Sequence, residues 1–306
     1  MADLTTEFCG VTFPNPLILP SGIIQEIPDH KRAIDAKVGG VTLKSITINA
    51  REGHPIPRII KYESGVLNAV GIRNPGLIKA KSLIRDFINK STVPVIVSVF
   101  ANNAEDFQKL VEEISEVKPY LIELNLSCPH VSREFGQSMA MESGSAAKAV
   151  KAAKKVAGKI PILAKLTANI PNIDQIAKAC EDVGADGISA INTVGPGMVI
   201  DINKKKPILG NLRGGVSGEG IRPLAVRCVY DIYEAVKIPI IGTGGVSKWQ
   251  DAVEMMMVGA TLVGIGSATY FKGMGIYEEI KKGLSEYMDR EGIKSLKELV
   301  GVAHGS

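Results

Sequence analysis

Residues 161–191 read PILAKLTANIPNIDQIAKACEDVGADGISAI, and this stretch holds one complete unit of the fold. An apolar run at 161–166 leads into a segment, beginning near Ile173, whose apolar residues fall at helical spacing. Gly184 stands where that helix should stop and the chain turn, and a second apolar run follows at 186–191. Strands that are apolar on both faces and alternate with helices imply a parallel sheet covered by helices.

The same alternation recurs along the whole chain. Eight runs, 16–20, 40–45, 94–99, 120–125, 161–166, 186–191, 238–242 and 261–265, alternate with segments of helical periodicity. Those segments begin near Asp29, Gly76, Ala104, Ser145, Ile173, Arg222, Lys248 and Ile276. In the one near Arg222, Ile221, Leu224, Ala225, Cys228, Val229 and Ile232 recur at three- and four-residue steps on one face. Gly259 marks a helix stop as Gly184 does. Eight units closing on themselves predict an α/β fold of the (β/α)8 TIM-barrel type, read as one domain over 1–306. An open doubly wound sheet is the competitor, and eight units in ~250 residues favour the barrel.

Three connections, 46–75, 127–144 and 192–220, are too long to be mere links. Each follows a strand, so all three are expected as insertions at the C-terminal mouth, where long loops are usually functional. Residues 8–14 precede the first strand and are expected to form a small hairpin plugging the opposite end.

Composition narrows the class. With 306 residues, 45% of them hydrophobic and 22% charged, the chain is neither disordered, collagenous nor a coiled coil. Thirty-six basic against 32 acidic residues give a net charge of +4, which argues against a nucleic-acid partner. No apolar run reaches the ~18 residues of a membrane span. Residues 1–6 carry Asp3 and lack the basic head and apolar stretch of a signal peptide. Cys9, Cys128, Cys180 and Cys228 are far apart and form no C-x-x-C pair. That pattern predicts no metal site, no iron–sulfur cluster held by this chain alone, and a reduced, cytoplasmic protein.

Several residues could carry chemistry. Gly242-Thr243-Gly244-Gly245 follows the seventh strand, and Gly264-Ile265-Gly266-Ser267 closes the eighth. In barrels these two loops commonly hold a phosphate through backbone N–H groups, which glycine lets approach closely. Lys44 and Lys165 sit in apolar strands; pointing inward they demand an anion, pointing outward between helices they do not. After the fourth strand come Asn125, Ser127, Cys128 and His130. A thiol standing over the mouth could act as acid or base. Cys180 and Cys228 lie on apolar helix faces and read as inert. Asn68, Asn74, Asn125 and Asn192-Thr193 gather polar groups at the mouth, suiting a lactam or pyrimidine ring. His130 is either a surface residue or a substrate donor.

These motifs resemble the dihydroorotate dehydrogenases, flavin-dependent barrels of pyrimidine synthesis, over essentially the whole chain. The resemblance rests on Pro20-Ser21-Gly22, Leu43-Lys44-Ser45, Arg51-Glu52-Gly53 and the run from Asn68 through Gly71-Ile72-Arg73-Asn74 to Gly76. Asn125-Leu126-Ser127-Cys128-Pro129, Asn192-Thr193, Gly214-Gly215-Val216-Ser217-Gly218 and the two glycine loops extend it. Cys128 in place of serine, the length, and the lack of a membrane-associating N-terminal extension look like class 1. The wording Gly65-Val66-Leu67-Asn68-Ala69 looks like subclass 1B.

The resemblance implies FMN held by Ser21, Lys44, Ser45, Asn125, Lys165, Ile191, Gly218, Gly244, Gly245, Gly266 and Ser267. It implies dihydroorotate held by Lys44, Asn68, Gly71, Ile72, Asn125, Asn192 and Thr193. Cys128 would remove a C5 proton while a hydride leaves C6 for flavin N5, and Lys165 would stabilise the anionic reduced flavin. A homodimer is implied, as is a heterotetramer with a second subunit whose FAD and iron–sulfur cluster pass electrons to NAD.

Two positions depart from the family. His130 stands where asparagine is usual, as in the related dihydropyrimidine dehydrogenases, which makes reduction of uracil or thymine the alternative activity. Ser98 stands where an asparagine often approaches the flavin and is left out of the expected site. A dihydrouridine-synthase-like RNA enzyme would need a more basic surface than +4 provides. A phosphate-binding barrel with no redox role would lack a flavin's yellow colour.

Overall fold

Each of the eight apolar runs forms a strand, and together they close into one parallel barrel. The structure, a computed structural model, describes residues 2–127 and 142–305. The chain opens with an antiparallel hairpin, β1 (Thr6–Phe8) against β2 (Val11–Phe13). The hairpin starts two residues earlier than expected because Thr6 pairs with Phe13. Its turn residues Cys9 (φ 51°) and Gly10 (φ 75°) are both left-handed, the geometry that matches strand twist in two-residue hairpins.

The first two barrel strands are β3 (Leu17–Leu19) and β4 (Gly40–Thr42). After the insertion strands β5 (Ile59–Tyr62) and β6 (Gly65–Asn68) come β7 (Val95–Val99), β8 (Leu121–Asn125), β9 (Ile162–Lys165) and β10 (Gly187–Ala190). A second insertion carries β11 (Val194–Gly197), β12 (Ile200–Asp201), β13 (Lys206–Pro207) and β14 (Gly214–Ser217). The barrel then closes with β15 (Ile240–Thr243) and β16 (Ala260–Gly264), the latter pairing with β3. The helices lie outside, and the main core fills the space between them and the outward strand residues. Of the face expected on the helix Arg222–Ala235, Ala225, Cys228, Val229 and Ile232 are buried, whereas Leu224 is exposed.

The lower end of the barrel is apolar. Ile18, Ile96, Leu121, Leu163, Ile241 and Leu262 form one buried cluster with Phe8 and Phe13 of the hairpin. In register with Ile18 and Leu163, β4 and β10 contribute only Gly40 and Gly187. A Cβ added there would lie 2.6 Å from Phe13 Cε1 or 3.1 Å from Phe8 Cζ. Two barrel strands thus yield their side chains to the two rings, which meet edge to face with centroids 6.3 Å apart. The hairpin is the plug that the sequence predicted.

Above this layer the interior turns polar. Side chains alternate along a strand, so Leu121, Glu123 and Asn125 share the inner face of β8, and Leu163 and Lys165 that of β9. At the mouth, two of the three long connections meet in an antiparallel sheet of order β11-β14-β6-β5, with the ribbon β12-β13 beside it. These six short strands were not predicted. No described helix is long and apolar enough to cross a membrane.

Candidate active site

The barrel opens upward into a cleft of about 1060 Å³ of non-protein space, part of it open to solvent. The strand ends supply its floor: Ser21 follows β3, Lys44 and Ser45 follow β4, Asn125 ends β8, Lys165 ends β9, and Ile191, Asn192 and Thr193 follow β10. Asn68, Gly71 and Ile72 line it from the first long connection, and Gly244, Gly245, Gly266 and Ser267 line it from the two glycine loops. Of the residues expected to hold cofactor or substrate, all but Gly218 meet in this one cleft. Gly218 lines an adjoining cavity that shares Gly245 and Ser267 with it. Cys128 and His130 lie outside the described residues.

A hydrogen-bonded chain runs across the floor. Ser45 Oγ lies 2.9 Å from Ser98 Oγ and accepts from Asn125 Nδ2 at 3.1 Å. Asn192 Nδ2 donates to Ser127 Oγ at 3.0 Å and to Asn125 Oδ1 at 3.4 Å. Asn192 Oδ1 accepts from its neighbour's Thr193 N–H at 2.8 Å. These contacts fix two amides while leaving part of their capacity for a ligand. Ser98 is fully buried and does not line the cleft; its hydroxyl orients Ser45.

Asn74 does not belong with the ligand amides. Its Oδ1 accepts from Thr47 N and Gly76 N, and its Nδ2 donates to Thr47 Oγ1 and Ile72 O at 2.7 and 2.8 Å. Those four bonds exhaust a side-chain amide. Asn74 is instead the peg that holds the turn carrying Gly71 and Ile72 to the cleft edge. Ile72 sits at φ 53°, a left-handed conformation costly for a β-branched residue. Asn68, by contrast, donates among the described residues to Gly215 O at 3.3 Å.

At the other end, Gly244 (φ 143°) and Gly245 (φ 76°) adopt backbone that side chains avoid. A Cβ on Gly245 would lie 2.6 Å from Arg222 Cβ and 2.8 Å from Arg222 N. Buried Asp251 anchors the loop from behind, accepting from Ser247 N at 3.0 Å and Lys248 N at 3.2 Å while pairing with Arg222. The result is a rigid cradle without side chains, the form a phosphate needs.

Lys165 points inward and its anion is Glu123, whose Oε1 is 3.5 Å from Nζ. Both are buried. Sequence reasoning named the lysine's need for an anion but missed this one, although the two-residue period placed Glu123 on the same face as Asn125. Burial pushes the Cys180 thiol up to about 12 and raises that of Cys228, in keeping with inert core residues.

The profile of the dihydroorotate dehydrogenase family matches residues 3–288. The chain belongs to the dihydroorotate dehydrogenase family. Within that family it is 44% identical over 303 residues to the catalytic subunit of dihydroorotate dehydrogenase B (NAD(+)) of Pyrococcus furiosus, covering 98% of this chain and 99% of that one. The same-named subunit of Methanocaldococcus jannaschii is 40% identical over 305 residues, 98% of each chain. That of Methanothermobacter thermautotrophicus is 38% identical over 302 residues, again 98% of each. The family resemblance read from the motifs, including its B subclass, therefore holds over nearly the full length.

Proposed function

We propose that this chain is the FMN-dependent catalytic subunit of a B-type dihydroorotate dehydrogenase, oxidising (S)-dihydroorotate to orotate in pyrimidine biosynthesis. The observation that carries the reading is the single cleft in which Lys44, Lys165 and three amides face a ring-sized space while two glycine loops close one end. The fit to FMN rests on the cradle: Gly244, Gly245, Gly266 and Ser267 offer backbone to a phosphate where a Cβ on Gly245 has no room. Ser21, Ser45, Asn125, Ile191, Lys44 and Lys165 would hold the ring, with Gly218 beside the phosphate end. Bound FMN supplies a two-electron acceptor.

The protein supplies the rest. Asn68, Asn125 and Asn192 pair with the alternating C=O and N–H groups of the pyrimidine, while Lys44 meets its carboxylate. Thr193, Gly71 and Ile72 complete the wall. Holding the substrate flat between a base and an acceptor converts the oxidation into an oriented, effectively unimolecular step. Cys128 takes the C5 proton, a role that rests on its place in the Asn125–Pro129 motif. Lys165 supplies positive charge where negative charge accumulates.

The names of the B-type relatives point to NAD and to a second subunit. This chain offers no cysteine spacing for a cluster, so FAD and iron–sulfur belong to that partner, in a heterotetramer built on a homodimer in the cytoplasm. Purified protein should carry a flavin absorbance, and anaerobic dihydroorotate should bleach it with one orotate formed per flavin. A colourless protein, or a flavin indifferent to dihydroorotate, overturns the assignment.

A further inference from the structure

At the cleft floor and just beneath it, two opposite charges are buried together. Glu123 is 2% exposed and Lys165 6%. Lys165 lines the cleft, and Glu123 does not. Glu123 Oε1 is fully buried, has no hydrogen-bond partner among the described residues, and faces the ammonium at 3.5 Å. Its backbone neighbours in register are Ser98 on β7 and Leu163 on β9, neither of them charged. Lys165 is flanked in register by Asn125 and Ser189, again neutral.

Granted the FMN assignment above, on which this rests, we propose that Glu123 is a positioning residue that keeps Lys165 charged and aimed at the flavin ring. A buried ammonium without a counterion is held in its charged form only weakly and tends to give up its proton. The oxidised ring is neutral, so before reduction the ring itself offers Lys165 no negative charge. The carboxylate beneath supplies one permanently. When electrons reach the ring, the cation is already in place and requires no reorganisation. Glu123 cannot touch a molecule in the cleft and acts only through Lys165.

Glu123→Gln separates charge from shape, because the amide has nearly the same size but carries no charge. The readout is sulfite, which adds reversibly to oxidised flavins and leaves negative charge on the ring. Sulfite affinity of the FMN-loaded variant should be about tenfold weaker than wild type near neutral pH. The two-electron midpoint potential should fall in step, by about 30 mV for each tenfold. Glu123→Asp should restore most of the affinity. Wild-type affinity and midpoint potential in Glu123→Gln would overturn the proposal, as would tighter sulfite binding, which would mean that the carboxylate merely offsets the lysine. Should Glu123→Gln fail to fold, Glu123→Met, similar in length and uncharged, takes its place, and wild-type sulfite affinity in it would overturn the proposal. A protein that binds no flavin at all tells against the FMN assignment instead.

Discussion

Asn192 reaches from the loop after β10 to Ser127 beyond β8, Nδ2 to Oγ at 3.0 Å. The contact ties a proposed substrate amide to the residue that precedes Cys128 in the chain. Ser127→Ala should remove this neutral hydrogen bond, worth about 0.5–1.5 kcal/mol, together with a longer one to Asn125 Oδ1 at 3.5 Å, and lower kcat/KM for dihydroorotate roughly 2–10-fold with FMN content unchanged. Asn192→Ala, which also removes the ligand contact, should cost more. Equal values for the two variants would show that Asn192 serves only to hold the loop.

Cys128→Ala should retain FMN and slow flavin reduction by dihydroorotate about 10²–10⁴-fold, the usual span for loss of a general base. Stopped-flow absorbance measures this directly. Only the thiolate accepts a proton, so the wild-type reduction rate should rise with pH as the thiol ionises. Near-normal reduction in the variant removes Cys128 from the mechanism.

The phosphate cradle makes a separate prediction. Gly245→Ala combines a left-handed φ of 76° with a Cβ 2.6 Å from Arg222 Cβ, so the loop must shift. A strain of about 1–3 kcal/mol should weaken FMN binding roughly 5–150-fold. The ratio of flavin to protein absorbance after dialysis reads this out. Full flavin retention would place the phosphate elsewhere.

The eight barrel strands were legible because each is apolar on both faces and bounded by a helical period, a signal local to ten or twenty residues. The mouth sheet was not, because its strands are short, some are glycine-rich, as in Gly214-Gly215-Val216-Ser217, and its central pairing joins β14 to the distant β6. Asn68 and Glu123 show the same limit at the site. Residue type could not tell Asn68, whose amide donates to Gly215 O, from Asn74, whose four bonds are consumed by its own turn. Glu123 was readable from strand period alone, two residues before Asn125, but a lysine's partner on a neighbouring strand emerges only with register.

The plug of the barrel rests on Phe13 over Gly40. Phe13→Ala should destabilise by about 3–5 kcal/mol, and Gly40→Ala by about 1–3 kcal/mol through overpacking. In the double variant the added methyl enters the space the ring vacated, so the two costs should fall short of additive. Denaturant unfolding of the four proteins measures the coupling. Strict additivity would mean that the ring and the glycine do not share a site.

His30 is fully buried, with Nδ1 3.0 Å from Glu26 O and 3.1 Å from Ile27 O, while Nε2 has no described partner. Burial holds its imidazole below the ordinary value of 6.5, outweighing the backbone acceptors that favour the charged form. Folded protein therefore binds this proton less readily than the unfolded chain, and stability rises with pH through that window. Above about pH 6.5 both states are neutral and the stability is fully present. It is lost as pH falls from there through the lower folded value. Melting temperatures measured between about pH 5 and 8 should decline on the acid side, and His30→Phe should flatten that decline whatever its effect on stability itself. An identical slope in the variant would assign the acid sensitivity to other groups.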